Sequence, residues 1–352
     1  MAGSSFGQVF RITTFGESHG GAVGVIIDGV TPGIRLAETD VQHELDRRKP
    51  GQSNITTPRN EPDIVHIFSG VFEGKTTGTP LMMMLYNSDA DPSAYDDIKD
   101  KFRPGHADFT YLEKYGLRDW RGSGRASGRE TAGRVAAGAV AKAILAVREI
   151  SIIAYTLKSA GITCRTYEPE QIERNALRAC DPEAAKLMLD EIIRIKETED
   201  SVGGIIECRI SGVPAGIGEP VFDKLDAEIA HAMLSIGAVK GIEFGAGFNA
   251  ADMHGSEHND EMSETGFITN NAGGIIGGIS TGNEIVFRIP VKPTSSISRE
   301  QQTRDTGGKL RSIRTEGRHD ACICPRIVPV VEAMVALVLV DHIKRQHALR
   351  TS

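Results

Sequence analysis

The sequence predicts an α+β fold in which two strand-bearing layers share a helical core. Three observations lead there: a strand–turn–helix theme that occurs twice, one long helix with an Ala/Val face, and a second helix that is apolar nearly all round. The first copy of the theme runs from Gly24 through Val25-Ile26-Ile27-Asp28 to a Gly29–Gly33 turn containing Pro32, and a helical pattern with Val41 and Leu45 follows. The second runs from Gly204 through Ile205-Ile206-Glu207-Cys208-Arg209-Ile210 to a Gly212–Gly216 turn containing Pro214. Leu225, Ile229 and Met233 then recur at i, i+4, i+8. Two readings of the pair stand: ordinary strand–turn–helix units, or a duplication around 24–46 and 204–234 that sets two similar sheets about one core.

The long helix is expected over 127–147. Ala132, Val135, Ala136, Ala139, Val140, Ala143, Ile144 and Val147 fall on one helical face, small enough for a neighbour to pack close to the backbone. A second core helix is expected from Pro329, a favoured first helical position, and its apolar run from Val330 to Val340 suits cover on several sides. A third helix, 183–197, is charged and expected at the periphery. The stretches 47–62, 87–110 and 292–320 lack periodicity, and loops this long inside a domain usually carry function.

Length alone, at 352 residues, fits one large or two medium domains. A net charge of −7 argues against general nucleic-acid binding, while a local arginine cluster can still hold an anionic small molecule. The five cysteines form no CxxC pair and read as reduced structural thiols. Cys322 and Cys324 lack a second Cys/His pair, so no metal is expected. There is no basic-then-apolar leader pattern. The apolar run 328–340 holds Glu332 and falls short of the ~20 residues a bilayer span needs, so a soluble cytoplasmic protein is expected.

Six segments carry candidate chemistry. Gly16-Glu17-Ser18-His19-Gly20-Gly21 sets a histidine between glycines, open to a ligand and able to titrate near neutrality. Arg103-Pro104-Gly105-His106-Ala107-Asp108 places a histidine on a sharp turn between a cation and a carboxylate. That suits protonation of a departing phosphate, and equally a capped loop histidine. In Arg121-Gly122-Ser123-Gly124-Arg125-Ala126-Ser127-Gly128-Arg129-Glu130, Ser127 and Glu130 are spaced as a capping box. The glycines, the helix start and Arg121, Arg125, Arg129 and Arg134 together read as a phosphate site. Its glycine spacing misses the dinucleotide fingerprint by one residue. Asp46-Arg47-Arg48-Lys49 is a basic patch or a solvated helix end. Lys292-Pro293-Thr294-Ser295-Ser296 offers hydroxyl and ammonium donors, and Gly317-Arg318-His319-Asp320 sets a carboxylate beside an arginine. His43, His66, His231 and His342 read as element residues, and Gly255 argues against a helical metal pair at His254 and His258.

These segments, in order over roughly 1–345, resemble the chorismate synthase family. Its three signatures are Gly16–Gly20 leading into 25–29, Gly124–Thr131 leading into 135–138, and Gly317–Asp320 leading into the last helix. The resemblance implies one domain over 1–352, a β–α–β sandwich with a helical layer between two mostly antiparallel sheets, and a homotetramer. It implies anti 1,4-elimination of phosphate from 5-enolpyruvylshikimate 3-phosphate to chorismate, needing reduced FMN with no net redox change, with NADPH as a possible reductant. His19 then resembles the residue that keeps the flavin suitably protonated and His106 the acid for the leaving phosphate. Asp320 with Ser127 resembles a relay to flavin N5. Arg125, Ala126, Ser127, Gly237, Ala238, Gly277, Lys292, Pro293, Thr294, Ser295, Ser296 and Arg318 match FMN-contacting positions. Arg48 matches a position for substrate or NADPH, and Arg47, Arg103, Arg129 and Arg134 are the further cations for an anionic substrate. Asn54 stands where many members carry Arg, Gly237 where Asn is frequent, and Ala321 and Pro325 also depart from the usual pattern. The alternatives are a nicotinamide dehydrogenase, against which the glycine spacing counts, and a non-catalytic anion-binding module.

Overall fold

The structure, a computed structural model, describes residues 3–53, 55–56, 61–89, 93–315 and 320–349. One sheet contains β1 (Ser5–Phe6), β2 (Arg11–Gly16), β3 (Ala22–Asp28), β4 (Val65–Ser69) and β5 (Leu81–Tyr86), in the order β1-β2-β3-β5-β4. The other contains β6 (Ser151–Ser159), β7 (Ile162–Thr163), β8 (Gly204–Ser211), β9 (Glu243–Phe244) and β10 (Ile285–Val291), in the order β9-β10-β8-β6-β7. Every ladder in both is antiparallel. The strand period of two explains their inner faces. Val25 pairs with Met83 and Ile27 with Leu81, all fully buried, while the neighbouring Ile26 and Tyr86 are exposed. In the second sheet Ile206, Cys208, Ile210, Ile285, Phe287 and Ile289 form the matching apolar face.

The helices are α1 (Glu38–Arg48), α2 (Asp108–Tyr115), α3 (Thr131–Ala146), α4 (Pro182–Glu197), α5 (Leu225–Leu234) and α6 (Cys324–Leu349). Helix α3 packs on the first sheet and on α6, and α6 packs on the second sheet, so the two helices form the centre of the sandwich. Small residues set their separation: a Cβ on Gly138 of α3 would lie 2.3 Å from the Ala333 Cβ of α6. Buried apolar side chains of both sheets and of α1, α3, α5 and α6 form one contiguous core. The two strand–turn–helix copies place β3 in one sheet and β8 in the other, followed by α1 and α5.

Three expectations are corrected. The last helix begins at Cys324, and Pro329 lies inside it. An interior proline leaves the carbonyl four residues back without its helical donor. Here that is the Pro325 oxygen, and Arg178 Nη1 donates to it at 2.7 Å in a buried position. The long helix enters through two 3-10 turns, Gly124–Ala126 and Gly128–Glu130, and the α-helix proper starts at Thr131. The long loops also hold structure: a 3-10 turn Ser93–Ile98, and a hairpin of β11 (Gln301–Arg304) with β12 (Leu310–Ile313). Helix α4 starts on Asp181, whose side chain accepts from the Glu183 and Ala184 amides. It buries Ala184, Ala185, Met188 and Ile192, so its peripheral position still supplies core.

Two buried carboxylates on α6 hold the layers together. Glu332, almost fully buried, accepts from Arg47 of α1, from Lys142 of α3 at 2.7 Å and from the Ala154 amide of β6 at 3.1 Å. Burial alone would raise its carboxyl, but Lys142 and Arg47 hold it down at about 2. Asp341 Oδ1 accepts the backbone N–H groups of Gln8, Val9 and Phe10. All five cysteines are free thiols. Among the described residues no helix is long and apolar enough to cross a membrane.

Candidate active site

A cavity of about 1390 Å³ opens where the turn after β2, the 3-10 turns before α3, the start of α2, residues 292–296 and the start of α6 meet. Single-ligand pockets run roughly 300–1,000 Å³, so this one has room for two ligands. Although the chain is acidic, cations slightly outnumber carboxylates among the lining side chains.

Helix α2 fixes the first cluster. Asp108, its first residue, receives Arg103 Nε and Nη2 at 2.8 Å each and has Arg118 Nη1 at 3.2 Å. His106 Nδ1 stands 3.2 Å from Asp108 Oδ1 and 3.4 Å from Arg103 Nη2. Its Nε2 stands 3.0 Å from Ser123 Oγ, which also accepts from Arg103 Nη2 at 2.6 Å. Burial alone would raise the Asp108 carboxyl, but hydrogen bonds and charge from Arg103 and His106 hold it well below the usual range. An ionised Asp108 therefore orients the His106 ring with Nδ1–H toward it.

The second histidine rests on the glycine-rich loop. Ser18 Oγ is 3.0 Å from His19 Nδ1, and the ring meets Tyr95 edge-on at 5.4 Å between centroids. It lies directly over Gly122: a Cβ there would fall 2.0 Å from His19 Cε1.

The loop's arginines are less free than their sequence suggests. Arg125 donates to the Gly16 carbonyl and to both Thr14 oxygens. Arg129 donates to Asp63, Asn87 and the Tyr86 carbonyl. Arg134 is held by Glu130 at 2.8 Å and by Ser235 at 2.6 Å. Arg121 is tied to Asp119 on the surface. The expected capping box does not form. Ser127 accepts from the Arg129 amide instead, and the Glu130 carboxylate turns to Thr14 and Arg134. Asp63, wholly buried, sits between Arg48 and Arg129. Burial pushes the Arg48 guanidinium down to about 10 against the opposing pull of Asp63, and its buried Nε has no hydrogen-bond partner.

Residues 292–296 close onto the His106 turn, because Lys292 Nζ and Ser295 Oγ both donate to the Gly105 carbonyl, at 3.0 and 2.8 Å. The buried Thr294 Oγ1 has no hydrogen-bond partner. Asp320, near-buried, pairs with Arg326 Nη1 of α6 at 2.7 Å. The structure thus brings His19, His106, Ser127 and Asp320 to one cavity, together with Arg48, Arg103, Arg125, Arg129 and Arg134. Ala126, Gly237, Ala238 and the whole of 292–296 line it as well. Gly277 does not: it sits exposed in the turn between Ile275–Ile276 and Ile279–Ser280. Nor does Arg47, whose guanidinium is committed to Glu44, Glu173 and Glu332. Arg318 and Asn54 lie outside the described residues. Sequence reasoning missed Asp63, Arg326 and Ser123. The first two belong to distant segments with no shared spacing. Ser123 stood in the glycine-rich segment read as a phosphate site, with no role of its own, and only its glycine neighbours hinted at an unusual backbone.

The cavity can hold an anionic substrate, and the orphaned Thr294 Oγ1 among its lining residues suits a second polar ligand such as a flavin phosphate or ribityl chain. The family model described as chorismate synthase matches residues 10–344. A chorismate synthase of Desulfosudis oleivorans is 58% identical over 99% of this chain and 99% of its own length. One of Methanosarcina mazei is 57% identical over 98% of this chain and 97% of its own. A solved structure titled a crystal structure of chorismate synthase superposes with a TM-score of 0.77 at 31% identity, covering 97% of this chain and 93% of the other. Fold, cavity and likeness agree, and the chain belongs to the chorismate synthase family.

Proposed function

We propose that this cavity binds 5-enolpyruvylshikimate 3-phosphate against reduced FMN, and that His106, His19, Asp320 and Ser127 move the protons. The chain is a lyase of the shikimate pathway, as its family and close relatives are. It removes phosphate from C3 and a hydrogen from C6 to leave chorismate. The observation that carries the site assignment is the meeting of all four groups, from four separate segments, in one cavity where cations slightly outnumber carboxylates.

The C6 hydrogen is not acidic, so a simple base would be poor. Reduced flavin, when bound, would supply the transient electron density that cleavage of the C3–O bond needs. The chain's own residues do the rest. His106, held by Asp108 on one ring nitrogen, gives a proton to the departing phosphate from the other. His19 keeps the flavin ring in the protonation state the reaction needs. Asp320 and Ser127 move a proton at flavin N5. Arg48, Arg103, Arg129 and Arg134 orient the anionic substrate, and Arg125, Ala126, Gly237, Ala238 and residues 292–296 hold FMN. Arg47 and Gly277 have no part in this reading, since neither reaches the cavity. NADPH as reductant, a homotetramer and a cytoplasmic location complete the proposal, on family likeness alone.

The test is anaerobic. Protein, chemically reduced FMN and 5-enolpyruvylshikimate 3-phosphate are mixed, and chorismate and phosphate are followed together. Equal amounts of both, over many turnovers per flavin and none with oxidised FMN, are expected. Folded, FMN-binding protein that forms neither product would overturn the assignment.

A further inference from the structure

We infer that Ser123 is a proton relay between His106 and the leaving phosphate. This rests on the reading of His106 as the leaving-group acid and goes one atom further. Ser123 lines the cavity beside His106, and its hydroxyl stands at the ring nitrogen that Asp108 does not take. With Nδ1 turned to Asp108, the working nitrogen is Nε2, and Nε2 is taken by Ser123 Oγ at 3.0 Å. A phosphate oxygen cannot reach that nitrogen in line without displacing the hydroxyl.

The hydroxyl has the right valences for both protonation states. When His106 is neutral, Ser123 O–H donates to Nε2 and accepts from Arg103 Nη2 at 2.6 Å. When His106 is an imidazolium, Nε2–H donates to Oγ and Arg103 fills the second lone pair. The serine proton is then the group free to turn toward a ligand in the cavity. As the C3–O bond breaks, its electron pair goes to the phosphate oxygen, which takes the serine proton. Oγ takes the Nε2 proton in the same event. Phosphate gains one proton, His106 changes from cation to neutral, serine is unchanged and no electrons are exchanged. Arg103, which is locked to Asp108, fixes the hydroxyl between the two.

The backbone gives the test a clean variant. Ser123 adopts φ 93°, ψ 10°, left-handed space that a serine occupies with strain and a glycine without it. Ser123→Gly therefore deletes the hydroxyl without threatening the fold. Ser123→Gly is expected to lower kcat about tenfold or more, since positioned acids contribute roughly 10²–10⁴. KM and the FMN dissociation constant should stay within about twofold, on the scale of an uninvolved group. In mixtures of H2O and D2O, single-turnover phosphate release should show a curved proton inventory in the parent protein and a straight one in Ser123→Gly. The double variant with His106→Ala should be no slower than His106→Ala alone. Parent-like kcat in Ser123→Gly, an unchanged inventory, or multiplying effects in the double variant would each overturn the relay. If His106→Ala is slow while Ser123→Gly is fast, only the relay falls. If His106→Ala turns over normally, the reading of His106 falls with it.

Discussion

Replacing Gly122 by alanine asks how tightly the His19 ring must be held. The added Cβ would lie 2.0 Å from His19 Cε1 and 2.1 Å from Nδ1, where non-bonded carbons need about 3.5 Å. The ring must retreat by roughly 1.5 Å, breaking its 3.0 Å contact with Ser18, or the loop beneath it, which carries Ser123, must open by as much. Displacements of about 1 Å at a reacting group cost on the order of 10²-fold in rate, so kcat should fall about a hundredfold. The backbone adds a separate penalty of roughly 1–2 kcal/mol, because Gly122 has φ 63°. Gly116→Ala controls for that penalty: it has φ 73° at the end of α2, and a Cβ there meets nothing within 4 Å. Chorismate formation under anaerobic conditions, with thermal melts alongside, separates the two effects. Both variants should lose similar stability, and only Gly122→Ala should lose the rate. Gly122→Ala within threefold of the parent, or Gly116→Ala equally slow, would refute the role given to His19 packing.

His106→Ala should cut phosphate release far more than FMN binding, and equal losses would remove it as the leaving-group acid. Asp320→Asn should lower turnover while substrate binding is largely kept; near-normal turnover takes Asp320 out of the mechanism. Glu332→Gln should destabilise the fold by about 3 kcal/mol at neutral pH, read by urea unfolding, because Arg47 and Lys142 lose their buried partner. The sign follows from a folded pKa near 2 against the ordinary 4.5: the contribution is complete above about pH 4.5 and is lost as pH falls toward 2. The gap between parent and variant should close over that window, and a pH-independent gap would mean that Glu332 acts by packing alone.

Much of this fold was legible because its helices and strands bury apolar faces at regular periods. Val41 and Leu45, Leu225 and Ile229, and Ala132, Val135, Ala136, Ala139, Val140 and Ile144 of α3 reach the core as their spacing indicates, whereas Val147, expected on the same face, lies past the helix end and is exposed. The start of α6 was misplaced because a proline that suits a first turn was tolerated inside the helix, and that tolerance depends on Arg178, far away in sequence. The site divides along the same line. His19, His106, Ser127 and Asp320 stand out locally by their glycine, proline and charged neighbours. What each charge pairs with is a tertiary matter. Nothing near Arg129 foretells Asp63, and nothing near Asp320 foretells Arg326. The capping-box spacing failed for the same reason: Glu130 found better partners in Thr14 and Arg134 than in its own backbone.

Helix α6, one of the two at the centre of the sandwich, is synthesised after every sheet strand and helix that it packs on. Until 324–349 has left the ribosome, the inner face of the second sheet has no cover, and α3 lacks its partner across Gly138. The grip of Asp341 on residues 8–10 cannot form until residue 341 has been made. At about 5–20 residues per second, that leaves the early strands waiting roughly 20–70 s with apolar surface exposed. Nascent chains arrested before residue 324 should therefore be sticky and dependent on chaperones, and cooperative folding should begin only once α6 emerges.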